Sequence, residues 1–89
     1  MALLNFYGEE CPHCKHMDPL IAQLETELGV KVEKFETWHN KENDNKRAEY
    51  DNGFCGGVPF FVNTTSGGKL CGAVPYETLK AWAIGHDAE

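Results

Sequence analysis

Apolar positions run almost without interruption from Ala2 to Tyr7, the pattern of a strand buried on both faces. From Pro12 the period changes. Met17, Leu20, Ile21, Leu24 and Leu28 recur at three- and four-residue steps and mark one apolar face of a helix, which Gly29 ends. Cys11 is the expected N-cap, with Pro12 as the first helical residue, where a missing N–H costs nothing. Pro19 lies inside this helix and is expected to kink it.

Val30 to Glu36 predicts a second strand with partial alternation. Lys41 to Asp51 is polar but helix-compatible, with Asn40 as its cap and Gly53 as its stop. Val58 to Asn63 predicts a strand, Thr64 to Gly68 a turn, and Lys69 to Gly72 the return strand. Pro75 opens a last helix through Tyr76, Leu79, Trp82 and Ala83. The predicted order is βαβαββα. No internal repeat, low-complexity tract or linker interrupts it.

With 89 residues the expectation is one domain, residues 1–89, around a single core. An apolar fraction of 42%, with 11% aromatic, supplies that core and argues against disorder. A net charge of −6 with only eight scattered basic residues argues against nucleic acid as a partner. No apolar run approaches membrane-spanning length, so no membrane association is expected. No n-region and h-region opens the sequence, and a soluble cytoplasmic monomer is the expected state.

Four cysteines change the picture. Cys11-Pro12-His13-Cys14 stands at the junction between the first strand and the first helix. Two cysteines at that spacing can close a disulfide across the first helical turn. The first sulfur then lies at the positive end of the helix, where free N–H groups favour a thiolate. Cys11 is therefore the expected attacking sulfur, and Cys14, one turn in, the resolving one. His13 beside Cys11 would favour the thiolate further, which predicts a more oxidising couple than a Gly-Pro pair would give.

Such a pair alone is ambiguous between redox and metal chemistry. A structural zinc site usually needs a second pair at similar spacing, and Cys55 and Cys71 form no such knuckle. Cys11, Cys14, His13 and His16 cluster in sequence, but Pro12 and the helix restrict their convergence. No metal ligand is assigned. Val58-Pro59 offers a second pointer to redox chemistry. A cis proline there would hold the Val58 backbone outward, ready to pair with a substrate lying across Cys11.

These residues together resemble the thioredoxin superfamily. Asn5-Phe6-Tyr7-Gly8-Glu9-Glu10-Cys11-Pro12-His13-Cys14-Lys15, followed by Pro19, is similar to its active-site strand, loop and helix. Gly57-Val58-Pro59-Phe60-Phe61-Val62 is similar to its cis-proline strand, and Gly72-Ala73 with Leu79 to the approach to its last helix. The resemblance implies a minimal thioredoxin fold of class α/β, with a four-stranded mixed sheet and helices on both faces. It implies a thiol–disulfide oxidoreductase with Cys11 and Cys14 catalytic. Pro12, His13 and Lys15 then tune the pair, and Val58, Pro59 and Tyr7 bind substrate. No bound cofactor is expected beyond the redox-active disulfide. The partners are disulfide-containing proteins and a reductase or a small thiol such as glutathione.

Departures from the family pattern are specific. The first strand and helix of a full thioredoxin have no counterpart. Asn5 stands where thioredoxins carry a buried aspartate that assists deprotonation of the second cysteine, so water, Lys34 or Glu9 is expected to serve instead. Glu10 replaces the usual aromatic before the first cysteine and makes the docking surface more acidic. The Pro-His dipeptide is similar to that of the bacterial periplasmic thiol oxidases, whose helical insertion has no room here. Gly72-Ala73-Val74-Pro75 matches poorly the segment with which glutaredoxins hold glutathione.

The remaining residues have plainer readings. Cys55 and Cys71 are expected to be free, partly buried thiols, because pairing a strand residue with one that precedes the neighbouring strand looks strained. Asn63-Thr64-Thr65 matches a glycosylation sequon but reads as turn chemistry. His16 and His39 are expected at the surface, and Trp82 and Tyr76 in the core.

Overall fold

The computed structural model describes residues 2–85. Strand β1 (Leu3–Tyr7) runs through the middle of a four-stranded sheet of order β2-β1-β3-β4. It pairs in parallel with β2 (Val32–Glu36) and antiparallel with β3 (Phe60–Asn63), which pairs antiparallel with β4 (Lys69–Cys71). Parallel neighbours need a crossover, and α1 (Pro12–Leu28) supplies it. Helices α2 (Lys41–Asp51) and α3 (Tyr76–Ala83) complete the βαβαββα order and the minimal thioredoxin architecture expected from the sequence.

Strand alternation divides the interior in two. Leu3, Val32 and Phe61 meet Met17, Ile21 and Leu24 of α1 and Leu79, Trp82 and Ala83 of α3. On the opposite face Leu4, Phe6, Phe60 and Val62 pack with Phe35 and Tyr50. Phe6 stacks between the rings of Phe35 and Phe60, at centroid distances of 5.3 and 6.0 Å. Trp82 is buried and Tyr76 packs partly buried against the first cluster, both as expected. Asn63 is 1% exposed and its Nδ2 donates to the Trp82 carbonyl, while Oδ1 accepts the Thr65 and Ser66 N–H groups. It builds the turn, as the turn reading of the sequon anticipates.

Boundaries shift for local reasons. Gly29 caps α1 in the left-handed region at φ 66°, and β2 starts only at Val32. Asn52, not Gly53, is the first left-handed residue after α2, at φ 47° with its N–H on the Ala48 carbonyl. Pro75 is the N-cap of α3 rather than its first residue. The strand expected from Val58 begins at Phe60, directly after the cis Val58–Pro59 bond.

Cys55 and Cys71 are not free thiols: they form a disulfide, with Cα atoms 5.4 Å apart. Cys71 does lie opposite Phe60, as the hairpin register requires. The expectation failed by extending β3 straight back through Cys55. Instead, positive φ angles at Gly53 and Gly56 (84° and 76°) turn the segment so that Cys55 reaches β4.

The same segment is gripped from the other side by Asp51, 2% exposed. Its carboxylate accepts the N–H groups of Cys55 and Gly56 at 2.5 and 2.6 Å and pairs with Arg47 Nη1 at 2.7 Å. Burial alone would push this carboxyl up. The two N–H bonds and the Arg47 charge outweigh it and leave the group below the usual carboxylate range. No helix among the described residues is long and apolar enough to cross a membrane.

Asp51→Ala leaves two loop N–H groups without their acceptor and Arg47 with Asp44 as its remaining ion-pair partner, and is expected to cost about 3 kcal/mol in urea denaturation. The stability this carboxylate supplies is present above the unfolded-state carboxylate pKa of about 3.9 and is lost as pH falls through its lower folded value. An Asp51→Ala stability curve with the same acid limb as the parent would contradict that assignment.

Candidate active site

β1 delivers the chain through Gly8 to Cys11, and the turn closes with the Cys11 N–H on the Gly8 carbonyl at 3.0 Å. Cys11 is the N-cap of α1 and Pro12 its first residue, both as the sequence requires. The cap is the sulfur itself: Cys11 Sγ accepts the Cys14 N–H at 3.2 Å. Cys11 and Cys14 are free thiols, 3% and 4% exposed. Cys11 is thus less open than an attacking sulfur was expected to be.

Burial is the main cause that pushes the Cys14 thiol up to about 12, from an ordinary 9.0. Its hydrogen bond with the Cys11 side chain and the charges of Cys11 and Asp18 act the same way, against a bond to the Gly8 backbone. The two sulfurs are therefore chemically unequal. Cys11 receives an N–H of the first helical turn, while Cys14 is held as a thiol. Pro12, His13 and Lys15 all lie exposed around the pair.

The β1–β3 register pairs Phe6 with Phe60, so the cis Val58–Pro59 bond falls beside the Tyr7–Gly8 end of β1. Pro59 is buried and its carbonyl accepts the Gly72 N–H at 2.8 Å, which fixes it to the β4 end. Among the described residues no hydrogen bond uses the Val58 N–H or carbonyl. Tyr7 is half-buried, and its carbonyl is occupied by the Thr37 N–H (2.7 Å) and Thr37 Oγ1 (3.0 Å).

Asn5 is 2% exposed, on the sheet face that Leu3 presents to α1, and its Nδ2 finds no partner among the described residues. Of the two side chains expected to assist Cys14, Lys34 pairs with Asp18 at 3.4 Å on the surface, and Glu9 is exposed. His13 and His16 do not converge with the cysteines. Among the described residues, the group with ligand atoms close enough to hold an ion is Glu9, Glu10 and His39, all exposed.

Sequence reasoning missed the loop between β2 and α2. Glu36 gathers it: the carboxylate accepts N–H groups from Glu9 (2.9 Å), Trp38 (3.1 Å) and His39 (2.8 Å). Burial opposes its charge, but these bonds leave the Glu36 carboxyl below its usual range. Trp38, 52% exposed, lies flat on Gly8, where a Cβ would land inside the indole. A lone tryptophan in the polar stretch Glu36-Thr37-Trp38-His39-Asn40 was the available signal. His39 Nε2 meets both Glu10 carboxylate oxygens, at 2.7 and 2.8 Å.

The chain belongs to the thioredoxin family, whose model, described as Thioredoxin, matches residues 1–84. Members of that family are in general oxidoreductases, and its domain marks thiol–disulfide redox chemistry. No curated protein matches the chain.

With Cys11→Ser removing the neighbouring sulfur, burial still holds the Cys14 thiol up, so its alkylation should accelerate only well above pH 9.0. A midpoint at the ordinary thiol value would contradict the assignment. The Glu10 hydrogen bond raises the His39 pKa above 6.5. The pair's contribution to stability is then complete below 6.5 and is lost as pH rises through the folded value. An NMR titration should show the His39 midpoint fall in Glu10→Gln.

Proposed function

We propose that the protein is a thiol–disulfide oxidoreductase that exchanges its Cys11/Cys14 dithiol with disulfides of protein substrates. The observation that carries this reading is the asymmetry of the pair. Cys11 Sγ takes the Cys14 N–H at a helix N-terminus, while burial keeps Cys14 protonated. Nucleophilic and resolving roles are thereby separated before substrate arrives.

In the reductive direction the Cys11 thiolate attacks one substrate sulfur. A Cys11–substrate disulfide forms, and the other substrate sulfur leaves as a thiolate and takes up a proton. Cys14 then gives up its proton and attacks Cys11 Sγ. The mixed disulfide breaks, the Cys11–Cys14 disulfide forms, and the second substrate thiolate leaves and is protonated. Two electrons pass to the substrate. A reductase or a small thiol such as glutathione returns them, and no bound cofactor takes part. The open Val58 backbone beside cis Pro59 offers an N–H and a carbonyl to an extended substrate chain, in the manner of strand addition. Pro12, His13 and Lys15 set the balance of the couple from the exposed side of the helix.

Cys11→Ser is expected to abolish reduction of a protein disulfide such as insulin. Cys14→Ser is expected to accumulate a substrate-linked adduct, visible by mass spectrometry and released by dithiothreitol. Full turnover by Cys11→Ser protein would overturn the reading.

A further inference from the structure

The β2–α2 loop is built more firmly than a connection requires. Thr37, 5% exposed, is fixed to the Tyr7 carbonyl by its N–H and its hydroxyl. Trp38 and His39 give their N–H groups to Glu36, and the His39 ring closes on Glu10. The outcome is an indole held over Gly8, half of it open to solvent; Gly8 stands three residues before Cys11, and its carbonyl accepts the Cys11 N–H. A large apolar side chain fixed in the open on the turn that leads to Cys11 is a contact surface in search of a partner. It supplies an aromatic at the site from a different part of the chain than the position Glu10 occupies.

The charges around this indole specify the partner. Glu9 and Glu10 are exposed and Glu36 is half-buried, against the single imidazole of His39. Glu36 is engaged by three backbone N–H groups and Glu10 by His39. Three carboxylates against one imidazole still leave this loop net negative around an exposed indole, a setting that suits a cation stacked on the ring. A guanidinium combines the charge and the stacking face in one planar group. The same rim disfavours a substrate that carries a carboxylate beside its cysteine.

Resting on the oxidoreductase reading, we infer that Trp38 and the Glu9–Glu10–Glu36 rim form a docking platform selecting polypeptide disulfides whose cysteine is flanked by arginine or lysine. The Val58 backbone aligns the substrate strand, and the platform reads the side chain beside the attacked sulfur.

The test uses the whole reduced protein and disulfide-linked peptides identical except for Arg, Ala or Glu beside the cysteine, with hydroxyethyl disulfide as an uncharged small substrate. The Arg peptide should be reduced about tenfold faster than the Glu peptide at low salt, the sum of a stacking and an ion-pair contribution. Trp38→Ala should narrow that ratio to about threefold, leaving the charge part, which salt then removes. Glu9→Gln with Glu10→Gln should narrow it independently, so the inference stands or falls even if the Trp38 variant does not fold. Equal rates for the three peptides, or a preference that survives both changes, overturns the platform. No reduction of any substrate, hydroxyethyl disulfide included, overturns the oxidoreductase reading instead.

Discussion

Burial of β1 on both faces and both edges is the constraint on which the rest depends. Leu3 must be covered by α1 and α3, while Leu4 and Phe6 need the opposite layer, where α2 lies. A strand with two neighbours and two covered faces has one free direction, its end. The chain leaves there through Gly8 and turns at once into α1, so Cys11 is set where the core stops and a helix starts. The cysteine pair inherits its position from the packing of the five-residue strand upstream.

The segment that leads into β3 is restrained from two sides. Between α2 and β3 the chain has no regular structure, yet Asp51 holds the Cys55 and Gly56 N–H groups, and the Cys55–Cys71 bridge ties the same point to β4. Pro59 is anchored through its carbonyl to Gly72. Between these anchors Val58 keeps its backbone open. Apolar burial alone could not order this glycine-rich stretch, and a buried carboxylate plus a covalent link do so in its place.

A comparable substitution occurs on the other side of Cys11. The position before the first cysteine carries a carboxylate, Glu10, and an exposed aromatic, Trp38, is carried onto Gly8 by the loop after β2. Glu36 makes this workable, because one side chain accepts three backbone N–H groups and so fixes both the Cys11 approach and the tryptophan loop. Gly8 is the complement to that arrangement: any side chain there would occupy the volume of the indole.

The sequence by itself determined the elements and their order, the N-cap role of Cys11, the first-turn place of Pro12 and the α1 stop at Gly29. These depend on periodicity and on local backbone preference, which nearby residues set. It also marked Val58-Pro59 as special, because a proline opening an apolar strand demands an explanation. Tertiary structure alone decided the Cys55–Cys71 bridge, since two positive-φ glycines redirect the chain and no local pattern reports where it goes. It alone decided that Asp51, within a polar helix, is a buried anchor, that Asn5 leaves Nδ2 without a partner, and that Trp38 rests on Gly8. Each of these is a contact between segments distant in sequence. Their energy comes from surfaces that exist only after the sheet has formed, and so the sequence could name the residues without showing which would meet.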